Sequence, residues 1–448
     1  MNDDSVTWPT MDRVRHATGA THEVGPGQLF FSMTDHRGLI TAANSVFVEL
    51  ARFPREELIG SPHSIIRHPD MPAGCFKLMW DAILAGRPFC CYVNNLARDG
   101  STYTVFATVA PAGDAFLSVR VRPLRRDLLE QAMTLYGATR PVELAARGHG
   151  VNRRGTAAIG LDKLEELLAD AGYGCYDEFQ WEALMAEAEA RAGVPSAWAN
   201  RPNTRGPLAD MLTCCRTLAA ELRRWSGHYA AITDMARLLS EATVHLIDAA
   251  DTATRTAAAL SAAEAEGSTP AAAFLISRLA QTSTIMNELV EHLLEVRSSC
   301  CDSSTWVALA ELHTDALSQF VGELLDNRLA DDDRDAVGQL CQALSHDFSQ
   351  VRELSEQNAA YASTLVHELD RAYALITAGH QDIAGQRLGA FTSTELVGRI
   401  QAEAATVEQA LKLIARLGHQ ATAISQPQDT RLVDAQVARL LEVMDSLA

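Results

Sequence analysis

Between residues 25 and 122 the apolar positions fall in short, often alternating runs, whereas beyond Arg122 they recur every three to four residues. The first texture predicts strands and short helices; the second predicts helix almost throughout. Leu29 to Met33 and Leu39 to Thr41 form a predicted hairpin, turned by Asp35-His36-Arg37-Gly38. Asn44 to Arg52 predicts a helix, with Asn44 as its cap, and Pro54-Arg55-Glu56-Glu57 opens a further helical turn. Met71-Pro72 leads into a helix carrying Phe76, Leu78, Met79, Trp80, Ile83 and Leu84, closed by Gly86. Strands follow at Pro88 to Asn95, Ser101 to Ala110 and Ala115 to Val121, the first two joined by Arg98-Asp99-Gly100. The expected fold is α+β: an antiparallel sheet with helices over one face, enclosing a small pocket or a plug of side chains.

Leu128 to Tyr136 reads as a helical connector, and Leu161 to Leu168 and Tyr176 to Ala192 as shorter helices broken at Gly172-Tyr173-Gly174 and closed at Gly193-Val194-Pro195. Asn200 to Pro207 has linker composition. A seam with spacings of four and three then runs Met211, Cys215, Leu218, Leu222, Trp225, Tyr229, Ile232, Ala236, Leu239, Thr243, Leu246. It is repeated at Leu275, Leu279, Thr282, Met286, Leu289, Leu293 and Val296, at Leu344, Phe348, Val351, Leu365, Leu369 and Ile376, and at Ile400, Ala404, Val407, Leu411 and Ile414. Breaks fall at 266–270, 331–333, 379–389 and Gln426-Pro427. The domain plan is therefore an extension at 1–24, a sensor-like domain at 25–125, a helical connector region at 126–207, and a long-helix bundle at 208–448. Small residues on the seams suit an antiparallel bundle or a coiled coil between two copies, and a homodimer is expected.

Ordinary globular composition, 47% hydrophobic and 21% charged, in 448 residues requires more than one core. A formal charge of −19 repels polyanions, so nucleic acid is not an expected partner. The nine cysteines include Cys90-Cys91, Cys214-Cys215 and Cys300-Cys301 but no C-x-x-C, which fits a reduced, cytoplasmic setting without a zinc motif. No apolar run is long enough to span a bilayer.

The segment that carries chemistry is His63 to Pro72, with Trp80 beyond it. Two imidazoles (His63, His68), the Arg67 guanidinium and the Asp70 carboxylate stand within eight positions. Arg67 can grip a phosphate or carboxylate with paired donors, Asp70 can hold Arg67 or His68, and Trp80 offers a flat face for stacking. A purely structural alternative has Asp70 capping the helix that begins near Met71 and pairing with Arg67, with Trp80 as core.

Leu58-Ile59-Gly60, His63, Arg67 to Pro72, Phe76, Trp80, Gly86, Pro88, Val93, Asn95, Gly100 and Tyr103, continuing through Phe116 to Arg120, Pro123 and Leu135-Tyr136, resemble the PAS domain of the bacterial aerotaxis receptor family. The resemblance covers about residues 25 to 136. It implies bound FAD, held by Arg67, His68 and Asp70 with His63, Trp80, Asn44 and Asn95 as pocket neighbours; haem is the alternative cofactor. An Asn amide both donates and accepts, so its bonds to a flavin edge would respond to reduction. The chain departs from the family at Phe89, Cys90, Cys91, Asn94 and Thr104.

No catalytic constellation is evident, and a non-enzymatic protein is expected. Ser345-His346-Asp347-Phe348 resembles a phospho-accepting box, but the seam places His346 on a solvated face, and no glycine-rich nucleotide loop follows. His292, His313, His367 and His419 lack di-metal spacing. Cys90 and Cys91 read as packing on a strand. The leading expectation is a redox or oxygen sensor relaying to a downstream signalling partner. The rivals are a cofactor-free interaction and dimerisation module, and a phosphorelay protein using His346.

Overall fold

The structure is a computed structural model; it describes residues 16–194, 204–263, 270–326, 334–385 and 394–446. Strands β1 (Leu29–Thr34) and β2 (Ile40–Ala43) form the expected hairpin. Helices α1 (Ser45–Ala51) and α2 (Arg55–Leu58), a single 3-10 turn (His63–Ile66) and helix α3 (Ala73–Leu84) follow, and then β3 (Phe89–Leu96), β4 (Thr102–Ala112) and β5 (Ala115–Val121). The five strands are antiparallel in the order β2-β1-β5-β4-β3.

Turn chemistry sets the hairpin. Asp35 Oδ1 accepts from the backbone of Arg37 and Leu39, and Gly38 takes φ +73° where a Cβ would meet the Trp80 ring at 3.0 Å. Asn44 caps α1 as expected, accepting from Phe47 N, and Gly86 sits at φ +79° just past α3.

Pleat alternation divides the sheet into two working faces. Phe30 pairs with Arg120 and Ser32 with Ser118 on the face covered by α1 and the 3-10 turn, and in β3 and β4 Cys91, Asn95, Tyr103 and Ala107 share that inner face. Phe31 and Val119 point the other way, and Phe31 meets Phe320 edge-on at 4.8 Å.

The expected connector is longer than its apolar pattern. Helix α4 runs Arg126–Gly148 through Pro141, and α5 (Arg153–Asp170) and α6 (Tyr176–Arg191) fold back onto α3 and β3. The α3–α5 crossing is a two-glycine contact: a Cβ on Gly74 would lie 2.5 Å from the backbone of Gly160. Such close approach is available only where neither residue has a side chain.

The remaining helices are α7 (Pro207–Ala263), α8 (Pro270–Leu325), α9 (Arg334–Gly385), α10 (Thr394–Ile424) and α11 (Arg431–Asp445). The described residues group into one unit from Met1–Arg223, Thr305–Ser349 and Thr430–Ala448, and a second from Arg224–Ser304 and Gln350–Asp429. Every α7 seam residue predicted from Met211 to Leu246 is buried, as are those of α8 and α9. In α10 Val407 and Ile414 are buried and Leu411 is partly so, while the side chains of Ile400 and Ala404 lie outside the described residues, as do the break at 331–333 and most of that at 266–270. The break expected from Gly379 does not begin there: α9 stays helical through Gly385, and 386–389 lie outside the described residues. In the second unit the pairs Thr233–Ser304 (3.2 Å) and Thr254–Ser283 (2.9 Å) run in opposite sequence directions, so α7 and α8 are antiparallel there. No helix among the described residues is long and apolar enough to cross a membrane.

Candidate functional site

The candidate site is the inner face of the sheet. Phe30 stacks on Phe47 (5.0 Å), Phe47 stacks on the His63 ring (5.7 Å), and the Arg120 guanidinium lies 5.2 Å over Phe30. Arg120 Nη1 donates to His63 Nε2 at 2.9 Å, and the Ser32 hydroxyl is 3.0 Å from the same nitrogen. Arginine has only donors, so His63 accepts at Nε2 and carries its proton on Nδ1. Burial and the adjacent guanidinium hold the imidazole well below its ordinary pKa, so it is neutral.

Arg120 is itself 7% exposed, and burial lowers its pKa to about 10. Its electrostatic neighbours are Tyr103 and Cys91, not a carboxylate. Arg120 Nε and Asn95 Nδ2 are buried and find no acceptor among the described residues. A buried cation without a counter-ion, beside an unspent amide donor, is an arrangement that proteins ordinarily avoid unless a ligand completes it.

The residues marked by sequence are distributed around this interior rather than gathered in it. His63 and Asn95 face inward. Asn44 is fully buried, but its amide is committed to backbone: Oδ1 accepts from Phe31 N and Phe47 N, and Nδ2 donates to Leu29 O. Arg67 is tied by a backbone bridge to Asn95, donates to Met71 O at 2.8 Å and lies 4.0 Å over the Phe76 ring. Burial and the repulsion of Arg140 lower its pKa to about 10. His68 is buried, and its Nδ1 accepts from Asp70 N at 3.2 Å; burial lowers its pKa. The Asp70 carboxylate is exposed and lies 3.6 Å from His68. Trp80 packs edge-on against Phe116 at the hairpin end.

The structural alternative for Asp70 is replaced by a different residue. Helix α3 has Pro72 at its N-cap with no side-chain cap of its own, and the fully buried Glu143 of α4 accepts from Ala73 N and Gly74 N, both at 2.8 Å. Arg140 completes it at 2.9 Å. A second buried carboxylate, Glu187 of α6, accepts from Leu124 N, Arg125 N and the Tyr92 hydroxyl where α4 begins. Sequence reasoning passed over Arg120, Ser32, Glu143 and Glu187. The available signal was a charged residue at an inward position of the run Phe116 to Val121, a place that alternation reserves for apolar side chains.

Elsewhere, His346 is exposed as expected, with its ring edge-on to Trp306 at 5.2 Å, while the adjacent Asp347 is buried and bonded to His313 at 2.6 Å. Among the described residues no three His, Cys, Asp or Glu side chains are placed to hold a metal.

Residues 30–123 match the PAS fold family. The aerotaxis receptor of Escherichia coli (strain K12) is 36% identical over 96 residues, covering 20% of this chain and 19% of that protein, so the likeness spans about a fifth of either. Solved structures that resemble part of the chain include the light state of the blue-light photoreceptor Aureochrome1 LOV (18% identity, 23% of this chain and 88% of that one, TM-score 0.22). Others are the Erythrobacter litoralis EL346 blue-light activated histidine kinase (14%, 25% and 41%, 0.21) and the Rhodobacter sphaeroides LOV protein (17%, 32% and 87%, 0.21). A five-stranded antiparallel sheet with helices across one face, matched over Phe30 to Pro123, makes this segment a PAS domain.

Proposed function

We propose that the PAS domain senses redox state or oxygen through a bound flavin and that the helices contacting its sheet carry the change onward. The observation supporting this most directly is the buried Arg120 guanidinium without a carboxylate, flanked by neutral His63 and the unspent Asn95 amide. These donors suit a ring edge rich in acceptors, and a buried cation suits a ligand whose charge becomes more negative on reduction. When bound, the flavin supplies the electron-accepting chemistry; the chain supplies position and charge.

Arg120 and Asn95 would hold the ring edge, Phe30 and Phe47 exclude water from it, and His63 fixes the guanidinium by accepting its proton-bearing Nη1. Arg67 and His68, at the bridge to β3, would hold the more polar end. A shift of Arg120 is transmitted to Ser32 on β1, because Ser32 and Arg120 share hydrogen bonds at 3.3 Å and through His63. Phe31 then carries it to Phe320 of α8, and Glu323, which accepts from Ser45 N at 2.8 Å, carries movement of α1 to the same helix.

The test is the absorbance spectrum of the purified full chain, with Arg120→Met, Arg67→Ala and Asp70→Ala variants. Flavin bands in the wild type, their loss in the Arg67 and Asp70 variants, and their retention at an altered reduction potential in Arg120→Met are expected. A featureless spectrum from protein made in its native host, or helices that respond identically to air and reductant, refutes the reading.

A further inference from the structure

The second unit turns an apolar patch toward water. Val244 of α7 is 67% exposed, Ile247 43% and Leu294 of α8 44%, although the seams of the same helices are buried. The hydrogen bonds between α7 and α8 place these three side chains together. Ile247 lies seven residues before Thr254 and fourteen after Thr233, so it shares with them the stripe of α7 that faces α8. Leu294 lies eleven residues after Ser283 and ten before Ser304, on the stripe of α8 that faces α7. In the antiparallel register set by those bonds, eleven residues along α7 from Thr233 to Val244 match eleven back along α8 from Ser304 to Leu293. Val244 and Leu294 therefore stand at one level, within about 1.5 Å along the axis, on the open side of the groove between the two helices.

Charge is arranged about this level with opposite signs on its two sides. On α7 Arg237 lies seven residues before Val244 and Asp251 seven after; on α8 Glu291 lies three before Leu294 and Arg297 three after. Arg237, Asp251 and Glu291 are exposed and Arg297 partly so. Arg237 meets Asp234 of its own helix at 3.5 Å, which leaves further N–H donors on the guanidinium.

We propose that this face is a two-fold interface with a second copy of the chain, α7 packing antiparallel on α7 and α8 on α8. The axis passes beside Val244 and Leu294, so each meets its own copy. Rotation about it sets Arg237 against Asp251 of the second copy and Glu291 against Arg297 of the second copy, and each pair forms twice. Glu241 and Asp248 fall opposite Ile247 and Ser240 rather than opposite one another. Parallel pairing of the same helices would oppose Arg237 to Arg237 and Asp251 to Asp251, so the charges select the antiparallel arrangement. The stretch from Arg237 to Asp251 is about 21 Å long, which makes a small interface. The net charge of −19 opposes association at long range, so the dimer depends on the local pairs and dissociates on dilution. None of these residues belongs to the PAS domain, and the proposal stands apart from the flavin reading.

The test is sedimentation equilibrium of the purified full chain from about 1 to 100 µM, where a monomer–dimer equilibrium is expected. Val244→Glu should weaken association at least about tenfold, because it buries a carboxylate against its own copy. Arg237→Glu should weaken it about fivefold, since the new carboxylate faces Asp251, and adding Asp251→Arg to the same chain should restore it. Restoration is the discriminating result, because a variant that only damages the helix is not rescued by a second change. The three substituted positions are exposed, so helix content by circular dichroism should match the wild type. A chain that is monomeric throughout this range, a dimer indifferent to Val244→Glu, or a charge exchange that fails to restore association overturns the proposal.

Discussion

At the scale of single residues, the sensor interior turns on charge placed where water cannot reach it. Replacing Arg120 by Met removes the cation that faces His63 and the Asn95 amide while roughly keeping the volume, so a bound flavin should become harder to reduce. A fall in midpoint potential of about 30 mV corresponds to about 1.4 kcal/mol for a two-electron couple, and a fall of at least that order is expected in a spectroelectrochemical titration. An unchanged potential would remove Arg120 from the site. His63 supplies a pH signature. Its folded pKa lies well below the ordinary value of 6.5, so the unfolded chain takes up a proton first as pH falls. Its contribution is whole above about pH 6.5 and drains as pH drops below that toward the folded pKa, by up to about 1.4 kcal/mol per unit. Denaturant titrations at pH 7.5 and 5.5 should therefore diverge more for the wild type than for His63→Gln. The sequence drew the eye to Arg67, His68 and Asp70 because unlike charges stood close together in the chain. Folding sends Asp70 to solvent and buries His68, and strand register brings Arg120 opposite Phe30 from much further along. Proximity in sequence was legible; the pairing that sets the interior was not.

At the scale of elements, the α3–α4–α5 junction is held by one carboxylate and two glycines. Glu143 satisfies two helix N–H groups in a dry site, so Glu143→Ala should cost about 2–4 kcal/mol. A Cβ at Gly160 would reach within contact of the Glu143 carboxylate and displace it, so Gly160→Ala should cost about 1–3 kcal/mol. Because both changes disturb the same cap, the double variant should fall short of their sum, and additive losses in urea titrations would argue against the shared mechanism. The turns, the Asn44 cap and the Gly86 stop were readable from local chemistry. Helix α4 extends beyond the Leu128 to Tyr136 connector legible in the sequence; contacts made by Tyr136 before Pro141 and by Arg140 and Glu143 around it hold the longer helix in place.

At the scale of the whole molecule, the seams of the long helices were legible because a repeat of three and four states which face is buried. It does not state against what. The stretch of α8 around Phe320 carried a separate clue, for between Ser303 and Val321 buried positions occur on all sides of the helix, the mark of an element enclosed by more than one neighbour. One of those neighbours is the PAS sheet. Phe31→Ala and Phe320→Ala should each destabilise the chain, and their double-mutant cycle should return a coupling of about 0.5–1.5 kcal/mol. Phe320→Ala should also leave any flavin spectrum intact while abolishing the difference in helix proteolysis between air and reductant. Persistence of that difference would place the output elsewhere, at α4.

Strand β1 has no idle side. Ser32 touches the guanidinium and imidazole within, and Phe31, its immediate neighbour, touches Phe320 of α8 without, so the polar interior and that helix are separated by one peptide unit, about 3.3 Å along the backbone. No extended relay of packed side chains is required between them. By the same geometry a single inserted residue in this strand would exchange its two faces, turning Phe31 inward and Ser32 outward, and would cost sensing and coupling at one stroke.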